Sequence, residues 1–108
     1  MNHIEYLEKQ QIEKREYDPP LDNGIARYVE VLNQAGVETY ESCEGGEGHT
    51  YPEATVRFHG NKSEGHRALS VAINAGLPVS DLKRVWSVID GEPVGPKWEM
   101  TFYEKATA

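Results

Sequence analysis

The single cysteine of the chain lies in a glycine-rich stretch that also carries glutamates, a histidine and a tyrosine. The stretch reads Cys-Glu-Gly-Gly-Glu-Gly-His-Thr-Tyr over residues 43–51. A thiol with a histidine nearby is the pairing of a nucleophile with a general base, because the thiolate is the reactive form of cysteine. Cys43 and His49 are therefore the candidate catalytic residues. The neighbouring carboxylates of Glu44 and Glu47 oppose this reading, because negative charge disfavours a thiolate.

A metal site is the second reading of the same stretch. Cys43 and His49, together with His59 and His66, are soft or borderline ligands of the kind that zinc prefers. The gap between the cysteine and the histidine fits no standard zinc spacing, and the chain contains no Cys-x-x-Cys pair. The sequence therefore predicts neither a metal nor a cofactor.

A recognition loop is the third reading. Glycines let a partner approach the backbone closely, and Glu44, Glu47 and His49 offer specific polar contacts. A phosphate cradle does not fit, because the carboxylates would repel an anion and no P-loop lysine follows. A positively charged or amine-bearing partner suits the charge better. A hairpin tip whose glycines only serve the turn remains the plain alternative.

The first half of the chain supplies a helix and two strands that would hold this loop. Asp22 or Asn23 is suited to cap a helix that runs to Ala35, and Gly36 is suited to end it. The predicted strands cover residues 37–43 and 54–59. The helix carries an apolar stripe at helical spacing: Leu21, Ile25, Tyr28, Val29 and Leu32.

The second half repeats this order. Asn61 and Glu64 have the spacing of a capping box, with Ser63 as the alternative cap, and the helix that follows runs to Ala75. A strand over 82–89, a turn over 90–96 and a strand over 97–103 follow. The helix ends Leu32–Val37 and Ile73–Leu77 are similar, which indicates a duplicated αββ unit. The predicted fold is α+β, an αββαββ two-layer sandwich with a four-stranded, mainly antiparallel sheet and two helices on one face.

With both helices on one face, the other face of the sheet is open. Its side chains are polar and aromatic, which is typical of a solvated sheet face and also of a docking surface. Arg57 and His59, with Tyr51 from the loop, are therefore added to Glu44 and Glu47 as candidate ligand- or partner-binding residues. The face is predicted to present Thr55, Arg57, His59, Lys97, Glu99, Thr101 and Tyr103.

The whole chain limits the remaining choices. Its 108 residues make one domain over 21–108, preceded by a charged helix or arm over 1–20. The net charge of −7 argues against direct nucleic-acid binding, because phosphate contacts need cations. One cysteine forms no internal disulfide, and no signal or membrane span is evident, so the expected location is cytoplasmic. The 1–20 segment is expected to be a frayed or loosely docked helix; the alternative is an arm that packs on a second subunit, which would give a homodimer.

Two stretches carry a resemblance to known proteins. Glu41–His49, continued by Pro52–Gly60, is similar to a pattern in a family of short, uncharacterised bacterial and bacteriophage proteins. The likeness extends through Trp86–Pro93 and Trp98–Phe102. It implies a bacterial or phage origin and transfers no activity. Thr39–Gly45 more remotely resembles the cysteine loop of wybutosine-synthesis methyltransferases, but this chain has glutamate where that loop has small polar residues, so no residue role is carried over.

These observations favour a small acidic binding or regulatory protein, cytosolic or phage-encoded. Its 43–53 hairpin loop and open sheet face would contact a protein or a small ligand. The alternative is a small enzyme with Cys43 as nucleophile and His49 as base.

Overall fold

The computed structural model describes residues 21–106, so the predicted arm over 1–20 lies outside the described residues. Two helices and four strands follow one another in the order αββαββ. They are α1 (Asn23–Gln34), β1 (Thr39–Cys43), β2 (Ala54–Phe58), α2 (Lys62–Asn74), β3 (Val79–Ile89) and β4 (Glu92–Phe102). In this part of the chain, neither helix combines the length and the apolar character that a membrane crossing requires.

Local hydrogen bonds fix the start of α2 and the end of α1. The Asn61 side chain accepts a hydrogen bond from the Glu64 N–H and caps α2. The end of α1 is closed by backbone bonds from Gly36 to Asn33 and from Val37 to Leu32, both at 3.0 Å. The second of these bonds turns Val37 into the core, where it is 2% exposed, so β1 begins at Thr39 and not at the predicted Val37.

The four strands form one open antiparallel sheet in the order β1-β2-β4-β3. Both helices contribute buried residues to the core that covers one face of this sheet, where the alternating residues Val56, Phe58, Trp98, Met100 and Phe102 point inward. The predicted α+β class and its sheet are confirmed. The duplication itself stays a prediction, with which the αββαββ order is compatible.

The second hairpin is longer than predicted. Its turn consists of Asp90 and Gly91 alone, with φ angles of 51° and 79°, and β4 starts at Glu92. The predicted turn extended to Pro96, because glycine and proline usually mark turns. Here Gly95 and Pro96 lie within β4, next to a shift in its register with β3. Proline is tolerated because β2 pairs with β4 only from Trp98 onwards, so this part of β4 is an edge.

The outer part of this hairpin, residues 84–94, pairs with no third strand within residues 21–106. Apolar side chains on it are exposed: Trp86, Val88, Ile89 and Val94.

The open face of the sheet is less solvated than predicted. Thr55 and Thr101 are 1% and 8% exposed and therefore buried. The Thr55 hydroxyl donates to the Glu53 carbonyl at 2.8 Å, and the Thr101 hydroxyl shares a hydrogen bond with that of Ser80 at 3.0 Å. The prediction that both threonines face water is wrong, because these short side chains lie on the two central strands with their hydroxyls bonded within the protein.

Candidate functional site

The predicted site residues fall into two groups. Cys43, Glu44 and His49 lie where the loop between β1 and β2 meets the start of α1. Tyr51, Arg57 and His59 belong to the open face of the sheet and its edge. Glu47 is exposed on the loop, and no ion pair of its side chain is recorded within residues 21–106.

The loop is held closed by its own backbone. The Gly46 N–H donates to the Pro52 carbonyl at 3.0 Å, and the His49 N–H donates to Gly46 at 3.1 Å. Gly45 has a φ of +82°, and a Cβ there would lie 2.3 Å from the Glu53 carbonyl carbon, so only glycine fits this crossing. The loop is therefore closed by its own backbone hydrogen bonds and by a crossing that only glycine fits.

The same closure covers the cysteine. Cys43 is 7% exposed, and its sulfur accepts a hydrogen bond from the Gly45 N–H at 3.4 Å. Glu47 and His49, by contrast, are exposed. The loop thus displays carboxylate and imidazole groups to water while it keeps the sulfur beneath them.

Glu44 connects the loop to two other parts of the chain. Its carboxylate accepts a hydrogen bond from Lys105 Nζ at 3.0 Å and lies beside the backbone N–H of Gly24 at the start of α1. The bond from Lys105, aided by the lysine charge and by the Gly24 N–H, holds the pKa of the Glu44 carboxyl below its usual value. Gly24 packs closely, since a Cβ there would lie 2.9 Å from the Glu44 Cβ.

Asp22 is the site residue that sequence reasoning missed. It occupies the N-cap position of α1, but its side chain makes no capping hydrogen bond. Instead, its Oδ2 lies 4.0 Å from Nδ1 of His49, while Nε2 of His49 lies 4.0 Å from Oε2 of Glu44. The sequence predicts Asp22 only as a helix cap. Asp22 is distant in sequence from the loop, so no local pattern indicates that the two lie side by side.

Asp22, Cys43 and His49 therefore form one cluster. One ligand atom from each of the three residues lies within 4.8 Å of the other two. The set of thiol, imidazole and carboxylate has the composition of a nucleophile, a base and a group that orients the base. It also has the composition of a metal-binding site.

The open face is built around Arg57. Its Nε and Nη2 donate to Oε1 of Glu99 at 3.0 and 2.9 Å. Its Nη1 lies 3.8 Å from Oε2 of Glu41. The guanidinium carbon lies 5.3 Å from the centre of the Tyr51 ring. Burial, followed by the charge of Glu41, raises the pKa of Tyr51 to about 12. Arg57 and Tyr51 thus hold one another in place.

His59 belongs to an aromatic group at the edge of this face. Its ring stacks on Tyr40 with the two centres 4.5 Å apart, and the Lys97 ammonium lies 5.1 Å from the centre of the Tyr40 ring. Tyr40 is 38% exposed and was not among the predicted site residues. A bulge in β1 between Thr39 and Glu41 breaks the alternation from which its direction would have been predicted.

Comparison of the chain with protein-family models, with curated proteins and with solved structures found no match. The resemblance to short bacterial and bacteriophage proteins stays a prediction.

Proposed function

We propose that this protein is a small acidic binding protein of the cytoplasm that contacts a protein or small ligand through its loop corner. The loop corner comprises Asp22, Glu44, Glu47, His49 and Glu53. The observation that carries the proposal is the closure of the loop by the Gly46–Pro52 and His49–Gly46 backbone bonds beneath exposed polar side chains. A surface already fixed in shape loses little conformational entropy when it binds, which favours affinity.

Charge indicates the class of partner. Carboxylates predominate at the loop corner, on a chain whose net charge is −7. Such a surface attracts cationic or amine-bearing groups and accelerates their encounter, and salt screens this attraction. The partner is therefore a basic peptide segment or a small amine, and its binding weakens as ionic strength rises.

The open sheet face supports the same proposal in a different way. Arg57 is engaged by Glu99, so it stabilises the surface more than it offers a free charge. Tyr40 and His59 are exposed beside it and form a stacked pair. Aromatic groups of this kind supply contact area at low entropic cost, and Tyr is enriched at interfaces.

The test compares two triple variants with the same charge change. Glu47→Gln, His49→Gln and Glu53→Gln alter exposed side chains of the loop corner, whereas Glu30→Gln, His66→Gln and Glu92→Gln alter exposed side chains elsewhere. Both variants and the unaltered protein are immobilised and tested for capture of partners from a bacterial lysate at two salt concentrations. We expect one salt-sensitive partner to be retained by the unaltered protein and the control, and lost by the corner variant. Equal retention by all three proteins would defeat the proposal.

A thiol enzyme is the second candidate, favoured by the position of Asp22 beside His49. The aspartate would orient the imidazole, which would accept the proton of Cys43. The rate of alkylation of the native protein by iodoacetamide, measured across pH, tests this candidate against the Asp22→Asn variant and the unfolded chain. An enzyme nucleophile would react faster than the cysteine of the unfolded chain at neutral pH and lose that advantage in Asp22→Asn. A slower native thiol would remove this candidate.

A further inference from the structure

We propose that Asp22, Cys43 and His49 bind a zinc ion. This inference goes beyond the proposed function, since none of its steps requires a partner. It also opposes the expectation from sequence that the chain holds no metal. The basis is the convergence of a carboxylate, a thiol and an imidazole, from the start of α1 and from the loop, to within 4.8 Å of one another.

The chemistry of the three donors is that of zinc. Thiolate sulfur, imidazole nitrogen and carboxylate oxygen are its usual protein ligands, at about 2.3, 2.0 and 2.1 Å respectively. In a tetrahedral site these lengths separate two donors by about 3.3–3.7 Å. The donors of Asp22, Cys43 and His49 lie within 4.8 Å, so contraction by about 1 Å completes the site. Asp22 and His49 are exposed and can rotate to supply this movement, while Cys43 stays in place.

The surroundings of the cluster suit bound metal. The Gly45 N–H already donates to the Cys43 sulfur, as suits a thiolate ligand. If Nδ1 of His49, which faces Asp22, is the ligand, Nε2 is left facing Glu44 at 4.0 Å. A carboxylate that accepts the second N–H of a ligating histidine fixes the ring and strengthens the ligand. Glu44 is in turn held by Lys105 at 3.0 Å.

Bound zinc would join two segments that are distant in sequence. Asp22 comes from the start of α1 and Cys43 from the end of β1, so the ion would clamp the loop to the helix. Three protein ligands leave a fourth position, which water or a donor from a partner fills in such sites. Since Asp22 and His49 are exposed, this position faces solvent.

Cobalt is the first probe, because it reports the sulfur ligand directly. The full chain, freed of metal with a chelator and kept reduced, is titrated with Co²⁺, and the thiolate-to-cobalt charge-transfer absorption is recorded. Zinc affinity is then measured by competition with a chromophoric chelator. The ligand variants are Cys43→Ser, His49→Gln and Asp22→Asn. His59→Gln and His66→Gln are matched controls, since both remove an exposed histidine away from the cluster.

We expect one equivalent of cobalt to give the thiolate band, and zinc to abolish it by displacement. Each ligand variant should weaken zinc binding by more than about 100-fold, whereas Glu44→Gln, which removes the carboxylate behind His49, should weaken it about 10–100-fold. The control variants should bind as the unaltered protein does, and zinc should raise the Tm of every protein that binds it.

Three results would overturn the proposal. The first is the absence of a thiolate band with the unaltered protein. The second is zinc binding that His49→Gln, an exposed position where folding is preserved, leaves unchanged. The third is equal weakening by His59→Gln, which would reveal nonspecific binding by histidines. Equal retention of the partner in the capture test would defeat the proposed function and leave these zinc measurements unaffected, so the two proposals fail independently.

Discussion

The carboxylate of Glu44 accepts a hydrogen bond from Lys105 at 3.0 Å, so the first residue of the loop is tied to the segment that follows β4. The same segment reaches α1 through a bond of 2.7 Å from the Ala106 N–H to the Gly24 carbonyl. The loop, the start of α1 and the end of the described chain therefore form one connected corner. We therefore expect substitutions of Glu44 to change the stability of the whole protein against unfolding.

The first prediction concerns the pH dependence of that stability. The pKa of Glu44 is lowered from 4.5 by the bond from Lys105, so its contribution is present above pH 4.5 and is lost as pH falls through the lowered value. Glu44→Gln should therefore have a lower Tm than the unaltered protein at neutral pH, and this difference should shrink as pH falls below 4.5. Thermal unfolding followed by circular dichroism between neutral and acid pH measures it.

The control for this prediction is Glu47→Gln, which removes a loop carboxylate with no recorded ion pair within residues 21–106. This variant keeps the bond between Glu44 and Lys105, so the pH dependence of Tm that is lost in Glu44→Gln should remain in it. A difference in Tm between Glu44→Gln and the unaltered protein that does not change with pH would show that the bond from Lys105 does not bias the protonation of Glu44 in solution.

The second prediction separates backbone conformation from close packing in the loop. Gly45 and Gly48 have the same φ of +82°, but a Cβ at Gly48 meets nothing within 4 Å, whereas one at Gly45 lies 2.3 Å from the Glu53 backbone. Gly48→Ala should cost about 1–2 kcal/mol for the left-handed conformation alone. Gly45→Ala should cost about 2–5 kcal/mol, because the overlap adds to the same conformational cost.

Urea unfolding of both variants measures these free energies of unfolding. Equal losses at Gly45 and Gly48 would mean that the Glu53 backbone yields easily, and the fixed shape of the loop on which the proposed function depends would be wrong.

Much of the fold could be predicted because its signals are local. The stripe of apolar residues in α1, the Asn61 cap of α2 and the inward alternation of Ala54, Val56 and Phe58 each depend on neighbours within a few positions. The length of the β3–β4 hairpin was not predicted, because Gly95 and Pro96 have the same turn signal at a bulge as at a turn. A bulge within a strand is distinguished from a turn here only by strand pairing, because β2 pairs with β4 no further than Trp98.

The candidate site was predicted only in part, for a related reason. Cys43, Glu44 and His49 are close in sequence, so their grouping was visible. Asp22 joins them through the packing of α1 against the loop, which no short-range pattern records. The pairing of Arg57 with Glu99 likewise depends on the strand order, in which β2 and β4 are neighbours.

The third prediction concerns Gly65, which lies inside α2 where alanine would ordinarily stabilise the helix by about 1 kcal/mol. A Cβ at Gly65 would lie 2.3 Å from the Trp98 ring. The Trp98 indole N–H donates to the Gly60 and Asn61 carbonyls at 3.1 and 3.0 Å, so displacement of the ring would disturb these hydrogen bonds. Gly65→Ala should therefore lower the free energy of unfolding by about 1–3 kcal/mol.

Fluorescence provides a second measurement of this overlap. In a Trp86→Phe background Trp98 is the sole tryptophan, and its emission should shift when Gly65→Ala displaces the ring. Ser70→Ala, at an exposed position of the same helix, should leave both emission and stability nearly unchanged. A stabilised Gly65→Ala protein would show that helix propensity outweighs the contact with Trp98.

The fourth prediction compares two ion pairs of the sheet. Arg57 and Glu99 are 22% and 12% exposed and lie 2.9 Å apart, whereas Lys83 and Asp81 are 55% and 48% exposed and lie 3.2 Å apart. Hydrogen bonds to charged groups that are shielded from water contribute about 1.5–3 kcal/mol, while exposed pairs contribute about 0.2–1 kcal/mol. Double-mutant cycles with Arg57→Met and Glu99→Gln, and with Lys83→Met and Asp81→Asn, should give coupling energies in that order.

The ion pair between Arg57 and Glu99 should also affect the loop proposed to bind the partner. Arg57 lies 5.3 Å from the Tyr51 ring, at the end of the loop, so loss of the pair with Glu99 should loosen the loop as well as the sheet. We expect hydrogen exchange of the Gly46 and His49 amides, which close the loop, to accelerate in Glu99→Gln and to stay unchanged in Asp81→Asn. If both variants leave these amides protected, the open face and the loop corner are independent, and the partner surface is confined to the corner.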